Sequence, residues 1–84
     1  MVQLGFIARV KDFASINLLS KICNEFENVD VDVQHGRYIV DGKSILGLHS
    51  INLFDDFLIV FMSYDTFTEA ELNRIKKIRE MFGI

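Results

Sequence analysis

The sequence predicts an α+β fold: a four-stranded, mainly antiparallel sheet with every helix on one face, an open-faced β-sandwich in the order βαββαβα. Three observations carry this. Val29 to Gln34 reads Val-Asp-Val-Asp-Val-Gln, a strict alternation that gives a strand one apolar and one polar face. Phe57 to Met62 is an unbroken apolar run, as expected of a strand in the sheet interior. Two long amphipathic helical patterns lie between and after the strands, and a sheet with one polar face carries helices on the other face alone.

In order, Val2 to Arg9 forms the first strand, with Val2, Leu4, Phe6 and Ala8 on one side and Gln3, Ile7 and Arg9 on the other. Asp12 to Phe26 is the first helix. Ile16, Leu19, Ile22, Cys23 and Phe26 line one face, and Asp12 or Ser15 serves as the N-cap. After the alternating strand, His35-Gly36 fits a two-residue hairpin loop and Arg37 to Val40 returns. That loop sets Val33 against Tyr38 and Val31 against Val40 on the buried side, with Gln34/Arg37 and Asp32/Ile39 on the other. A short helix follows Ser44 and reaches Ile51, weakened by Gly47. The last helix is the most strongly marked. Thr68 and Glu71 make a capping box, Phe67 and Leu72 a hydrophobic staple, and Leu72, Ile75, Ile78 and Phe82 a buried stripe ending at Gly83. Glu69 and Glu71 at its start and Lys76, Lys77 and Arg79 near its end suit the helix dipole.

At 84 residues the chain, 1–84, is expected to form one domain around one core. Half of the residues are hydrophobic and 25% are charged with the signs mixed, a globular composition. A net charge of -3 and a pI near 5.2 argue against nucleic acid or an anionic membrane as partner. Cys23 is the only cysteine, so no internal disulfide forms, and a reducing compartment is expected. No leader and no membrane-length apolar stretch is visible, which points to a soluble, cytoplasmic protein.

Catalytic constellations are nearly absent, so no enzyme is expected. Cys23 falls on the apolar helix face, where a buried, inert thiol is the expectation. His35 sits in a turn as a solvated polar residue, and His49 lies on the short helix. No glycine-rich phosphate loop and no metal-ligand spacing occurs, so neither cofactor nor metal is implied. Asp30 and Asp32 read as the solvated side of a strand.

One stretch invites a functional reading: Val40-Asp41-Gly42-Lys43-Ser44-Ile45-Leu46-Gly47-Leu48. A β-branched run stops at an Asp-Gly turn, and Ser44 then caps a short helix. Its hydroxyl lies beside unpaired N–H groups at the positive helix end, where a phosphate is well held; otherwise Ser44 is a plain cap. This stretch, with Ser50-Ile51 after it and the order of elements around it, resembles HPr, the small phosphocarrier of the phosphoenolpyruvate-dependent sugar phosphotransferase system. The resemblance implies regulatory phosphorylation of Ser44 by an ATP-dependent HPr kinase. It also implies docking of protein partners, such as a transcriptional regulator, through Lys43, Ile45, Leu46, Leu48 and His49.

The departures matter as much. HPr carries its transferable phosphate on a histidine at the start of the first long helix, in a Gly-Ile/Leu-His-Ala-Arg-Pro-Ala motif. Here Val10-Lys11-Asp12-Phe13-Ala14-Ser15-Ile16 stands there, with Asp12 at the place of the histidine and Ala14 at that of the arginine. No histidine occurs before residue 35 and no proline occurs anywhere, so histidine phosphotransfer lacks its chemistry. His49 replaces an apolar residue of the family's docking patch. The expectation is an HPr-like regulatory protein that acts by docking. A small-molecule-binding regulatory module of the ACT type shares the β-α-β-β-α-β order, and a divergent phosphocarrier is the further alternative. Strand order in the sheet separates the ACT module from HPr.

Overall fold

Residues 1–84 are described by a computed structural model. Seven elements form in the order β1 (Val2–Ala8), α1 (Phe13–Cys23), β2 (Val29–His35), β3 (Tyr38–Asp41), α2 (Ile45–His49), β4 (Phe57–Ser63) and α3 (Glu69–Phe82). The four strands make one sheet in the order β1-β4-β2-β3, with every pairing antiparallel. The apolar strand β4 is thus interior, paired to β1 through Leu4↔Phe61 and to β2 through Val31↔Phe61.

Burial alternates along β2 and β4. Val29, Val31 and Val33 turn inward together with Phe57, Ile59 and Phe61. On the covered face α1 contributes Ile16, Leu19 and Cys23, α2 contributes Leu48, and α3 contributes Ile75, Ile78 and Phe82 to one cluster of 18 buried residues. Leu58, Val60 and Met62 point the other way yet stay half-buried, because strands flank β4 on both sides. That position accounts for the unbroken apolar run: both faces of an interior strand lose water.

The β2–β3 loop lies one residue later than expected, so every cross-strand partner moves by two residues while the faces are kept. The loop is Gly36-Arg37, so His35 pairs with Tyr38, Gln34 with Ile39, Val33 with Val40 and Asp32 with Asp41. Gly36 has φ of +60, the left-handed value that a II′ turn demands at its first loop position and that glycine adopts freely. Tyr38 is therefore 63% exposed instead of packed on Val33.

The helices are shorter than expected: α1 ends at Cys23, and α2 ends at His49 with Ser50 as its C-cap. In α3 the Thr68/Glu71 capping box forms in both directions, and the helix stops at Gly83. Phe67 is buried but Leu72 is 43% exposed, so the expected staple does not bury both partners and Leu72 leaves the core stripe. The far end of α3 is tied to β1 instead, through Arg9 N–H to the Phe82 carbonyl and Ile84 N–H to that of Ile7, both 3.0 Å.

Candidate functional site

The site begins where β1 leaves the sheet. Val10 is buried and its N–H donates to the Leu53 carbonyl at 2.9 Å, while the Arg9 guanidinium holds Asp56 (Nε–Oδ1 2.9 Å). The start of α1 is thereby stitched to the loop between α2 and β4. Asp12, not Ser15, is the N-cap. Its Oδ1 accepts the Ser15 N–H at 2.8 Å and the Ser15 hydroxyl at 2.7 Å, and these bonds hold the carboxyl below its usual range.

The loop before α2 is fixed from underneath. Gly42 lies so close to β2 that a Cβ there would meet Val31 Cγ1 at 2.7 Å, and its N–H donates to the Val31 carbonyl at 2.8 Å. Asn24, just past α1, donates to the carbonyls of Ser20 and Lys43, each at 2.8 Å. Lys43 turns its ammonium onto the Phe26 carbonyl at 2.8 Å, so it braces the loop and does not face a partner as expected. These ties present Ser44 as the N-cap of α2, its Oγ accepting the Gly47 N–H at 3.0 Å.

Between the start of α1, the outer side of α2 and the loop after it lies an exposed aromatic and aliphatic surface. Phe13 is 66% exposed and stacks on the His49 ring at 6.1 Å and 22°. It meets Phe54 edge-on at 5.2 Å and 88°. His49 Nε2 lies 2.9 Å from Asn17 Oδ1, a hydrogen-bond contact that ties the end of α2 to α1. Leu46 projects 81% exposed, and Ile45 is 40% exposed. Leu48 does the opposite of what was expected. It is fully buried, because the single turn of α2 must seat one side chain in the core. Of the expected docking residues, Ile45, Leu46 and His49 remain on the surface.

Phe13, Asn17 and Phe54 escaped the sequence reading. Their signal was two phenylalanines outside the core stripes, one beside a cap and one in a loop. Cys23 is buried, and desolvation pushes its thiol up to about 12, so it stays protonated and unreactive at neutral pH.

An antiparallel sheet with edge strands β1 and β3, covered on one face by three helices, is the open-faced β-sandwich of HPr phosphocarriers. In the ACT arrangement the first and third strands lie in the centre; here both are edges, and that fold is excluded. Two solved structures show the likeness. HPr-C-His from Thermoanaerobacter tengcongensis superposes with a TM-score of 0.67 at 17% identity, over 96% of this chain and 90% of that one. The phosphocarrier protein HPr from Bacillus anthracis str. Ames superposes with a TM-score of 0.66 at 19% identity, over 96% of this chain and 95% of that one. No protein-family model matches the sequence, and no curated protein matches it significantly. No helix is long and apolar enough to cross a membrane.

Proposed function

We propose that this chain is a non-enzymatic, cytoplasmic HPr-like regulator related to the sugar phosphotransferase system. It binds protein partners through the surface between α1 and α2, is phosphorylated at Ser44 and takes no part in histidine phosphotransfer. The observation that carries this is the exposed cluster of Phe13, Leu46, His49 and Phe54 beside a rigidly held Ser44. Scattered exposed apolar residues are ordinary, but a contiguous group with two phenylalanines at the surface is a recognition feature. Phosphate on Ser44 adds about -1.5 to -2 charges next to Ile45 and Leu46, which repels an acidic partner and recruits one bearing arginines. Asp12 fits the absence of transfer chemistry: its Oδ1 is engaged by the Ser15 N–H and hydroxyl as a helix cap, and neither imidazole nor arginine stands on its helix turn.

The test uses an HPr kinase as the probe. In isotope-labelled protein without ATP, the kinase should perturb the amides of Phe13, Asn17, Leu46 and His49 and leave α3 unchanged. With ATP, mass spectrometry should find one phosphate on the wild type and none on Ser44→Ala. Phosphoenolpyruvate and enzyme I should leave no acid-labile label on the chain. Perturbation centred elsewhere, equal labelling of Ser44→Ala, or acid-labile phosphate on any residue would overturn the reading.

A further inference from the structure

The helices leave one face of the sheet uncovered, and its composition is uneven. By the strand register, Ile7, Leu58, Val60 and Met62 stand on this open face as an apolar band across β1 and β4, and Gln34 of β2 separates Ile39 of β3 from it. Asp30 and Asp32 share the same face beside Met62 and Val60, with Asp41 directly opposite Asp32 in the ladder. Like charges facing each other across a strand pair cost stability; the Lys43 N–H, which Asp41 Oδ1 accepts at 2.9 Å, is the one hydrogen bond to these three carboxylates. No lysine, arginine or amino terminus lies within ion-pair distance of any of the three. They line, with Met1, Met62 and the exposed Tyr64, a shallow hollow of about 350 Å³.

We propose that the open face of the sheet is a second protein-docking surface, whose partner seats a lysine or arginine among Asp30, Asp32 and Asp41 and lays apolar side chains over Leu58, Val60 and Met62. Charge complementarity selects this occupant. The hollow offers a cation carboxylates at one end and, on Met62 and Tyr64, the polarisable and aromatic surface against which a long basic side chain packs. A second copy of the chain suits it poorly. Two cations continue the face at its opposite end by strand alternation, but Arg9 is already bound to Asp56, which leaves only Arg37 at the hairpin tip. One arginine against three carboxylates, on two chains each of net charge -3, leaves the contact repulsive. Anionic membranes and nucleic acids carry the wrong sign. The surface lies on the side of the sheet away from Ser44 and α2, so the two docking faces can be tested apart.

The probe is a short amphipathic peptide of leucine and lysine, titrated into isotope-labelled protein, beside the same peptide with glutamate in place of lysine. The lysine peptide should shift the amides around Asp32, Asp41, Val60 and Met62 while those of α1 and α2 stay fixed. The variant Asp32→Asn/Asp41→Asn, which removes charge at constant shape, should weaken it about tenfold, and the glutamate peptide should bind at least about tenfold more weakly. Shifts centred on α1 and α2, equal affinity for the double variant, no binding of the lysine peptide, or a dimer in sedimentation that the double variant abolishes would each overturn the proposal.

Discussion

Single contacts decide what several residues of this chain can be. Asp41-Gly42 is readable in sequence as a turn, but the reason for glycine is a contact 11 residues back in the chain (42 to 31): a Cβ at 42 would lie 2.7 Å from Val31 Cγ1 and 3.1 Å from Val31 Cβ. Val31 is buried in the sheet interior and has no room to retreat. Gly42→Ala is therefore expected to destabilise the fold by roughly 1–3 kcal/mol, the usual cost of overpacking, seen as a lower urea midpoint at unchanged slope. An unchanged midpoint would mean that the loop can lift off β2. The role of Lys43 was illegible for a related reason. A lysine next to a candidate phosphate site invites an ionic reading, yet its ammonium reaches the Phe26 carbonyl across the end of α1, a partner that local spacing does not reveal. Asp12 was legible as a cap only beside Ser15, and its bonds to the Ser15 N–H and hydroxyl decide between the two.

At the scale of elements, the long ones were predictable and the short one was not. A helix of 14 residues such as α3 repeats its apolar stripe often enough for the period to be counted, and Ile75, Ile78 and Phe82 are buried as expected. The five residues of α2 complete little more than one turn, so Ile45, Leu46 and Leu48 offer no period, and only the packed structure tells them apart. Leu48 is fully buried and Leu46 is 81% exposed. Truncation should separate the two roles. Leu48→Ala is expected to cost about 2–5 kcal/mol of stability, the range for a buried leucine. Leu46→Ala should stay within roughly 0.5 kcal/mol of the wild type, while lowering affinity for whatever docks between α1 and α2. Equal losses of stability in urea unfolding would show that α2 rearranges and that its outer face is not free for a partner. The register of the β2–β3 hairpin belongs to the same scale. The glycine was visible in the sequence, but its place in the loop was not, and moving the loop by one residue shifted every cross-strand partner by two.

The whole molecule has two faces of different chemistry, and the strand order that creates them is a long-range property. Sequence patterning placed β4 inside and the helices on one side, yet it could not put Asp41 opposite Asp32, because that pairing depends on the hairpin register. The consequence is a carboxylate that the fold disfavours. Desolvation foremost, and then Asp41 and Asp30, hold the Asp32 carboxyl above its ordinary value, the reverse of Asp12 and Asp55, which hydrogen bonds hold below theirs. A carboxyl raised by folding leaves stability intact below the unfolded value, about 3.9, where both states keep the proton. As pH climbs through the folded value the native state must ionise at a disadvantage, and stability is lost. Asp32→Asn removes that loss and should be more stable than the wild type at neutral pH, by no more than ~0.5 kcal/mol because the group still faces solvent. At pH 3 the two proteins should unfold together. Salt should narrow the neutral-pH gap only in part, since it screens the repulsion from Asp30 and Asp41 but not the desolvation that comes first. Urea unfolding of both proteins from pH 3 to 7 is the measurement. A variant less stable than the wild type at pH 7 would mean that Asp32 already has a compensating partner within the chain, and the open face would then have no charge left to offer another protein.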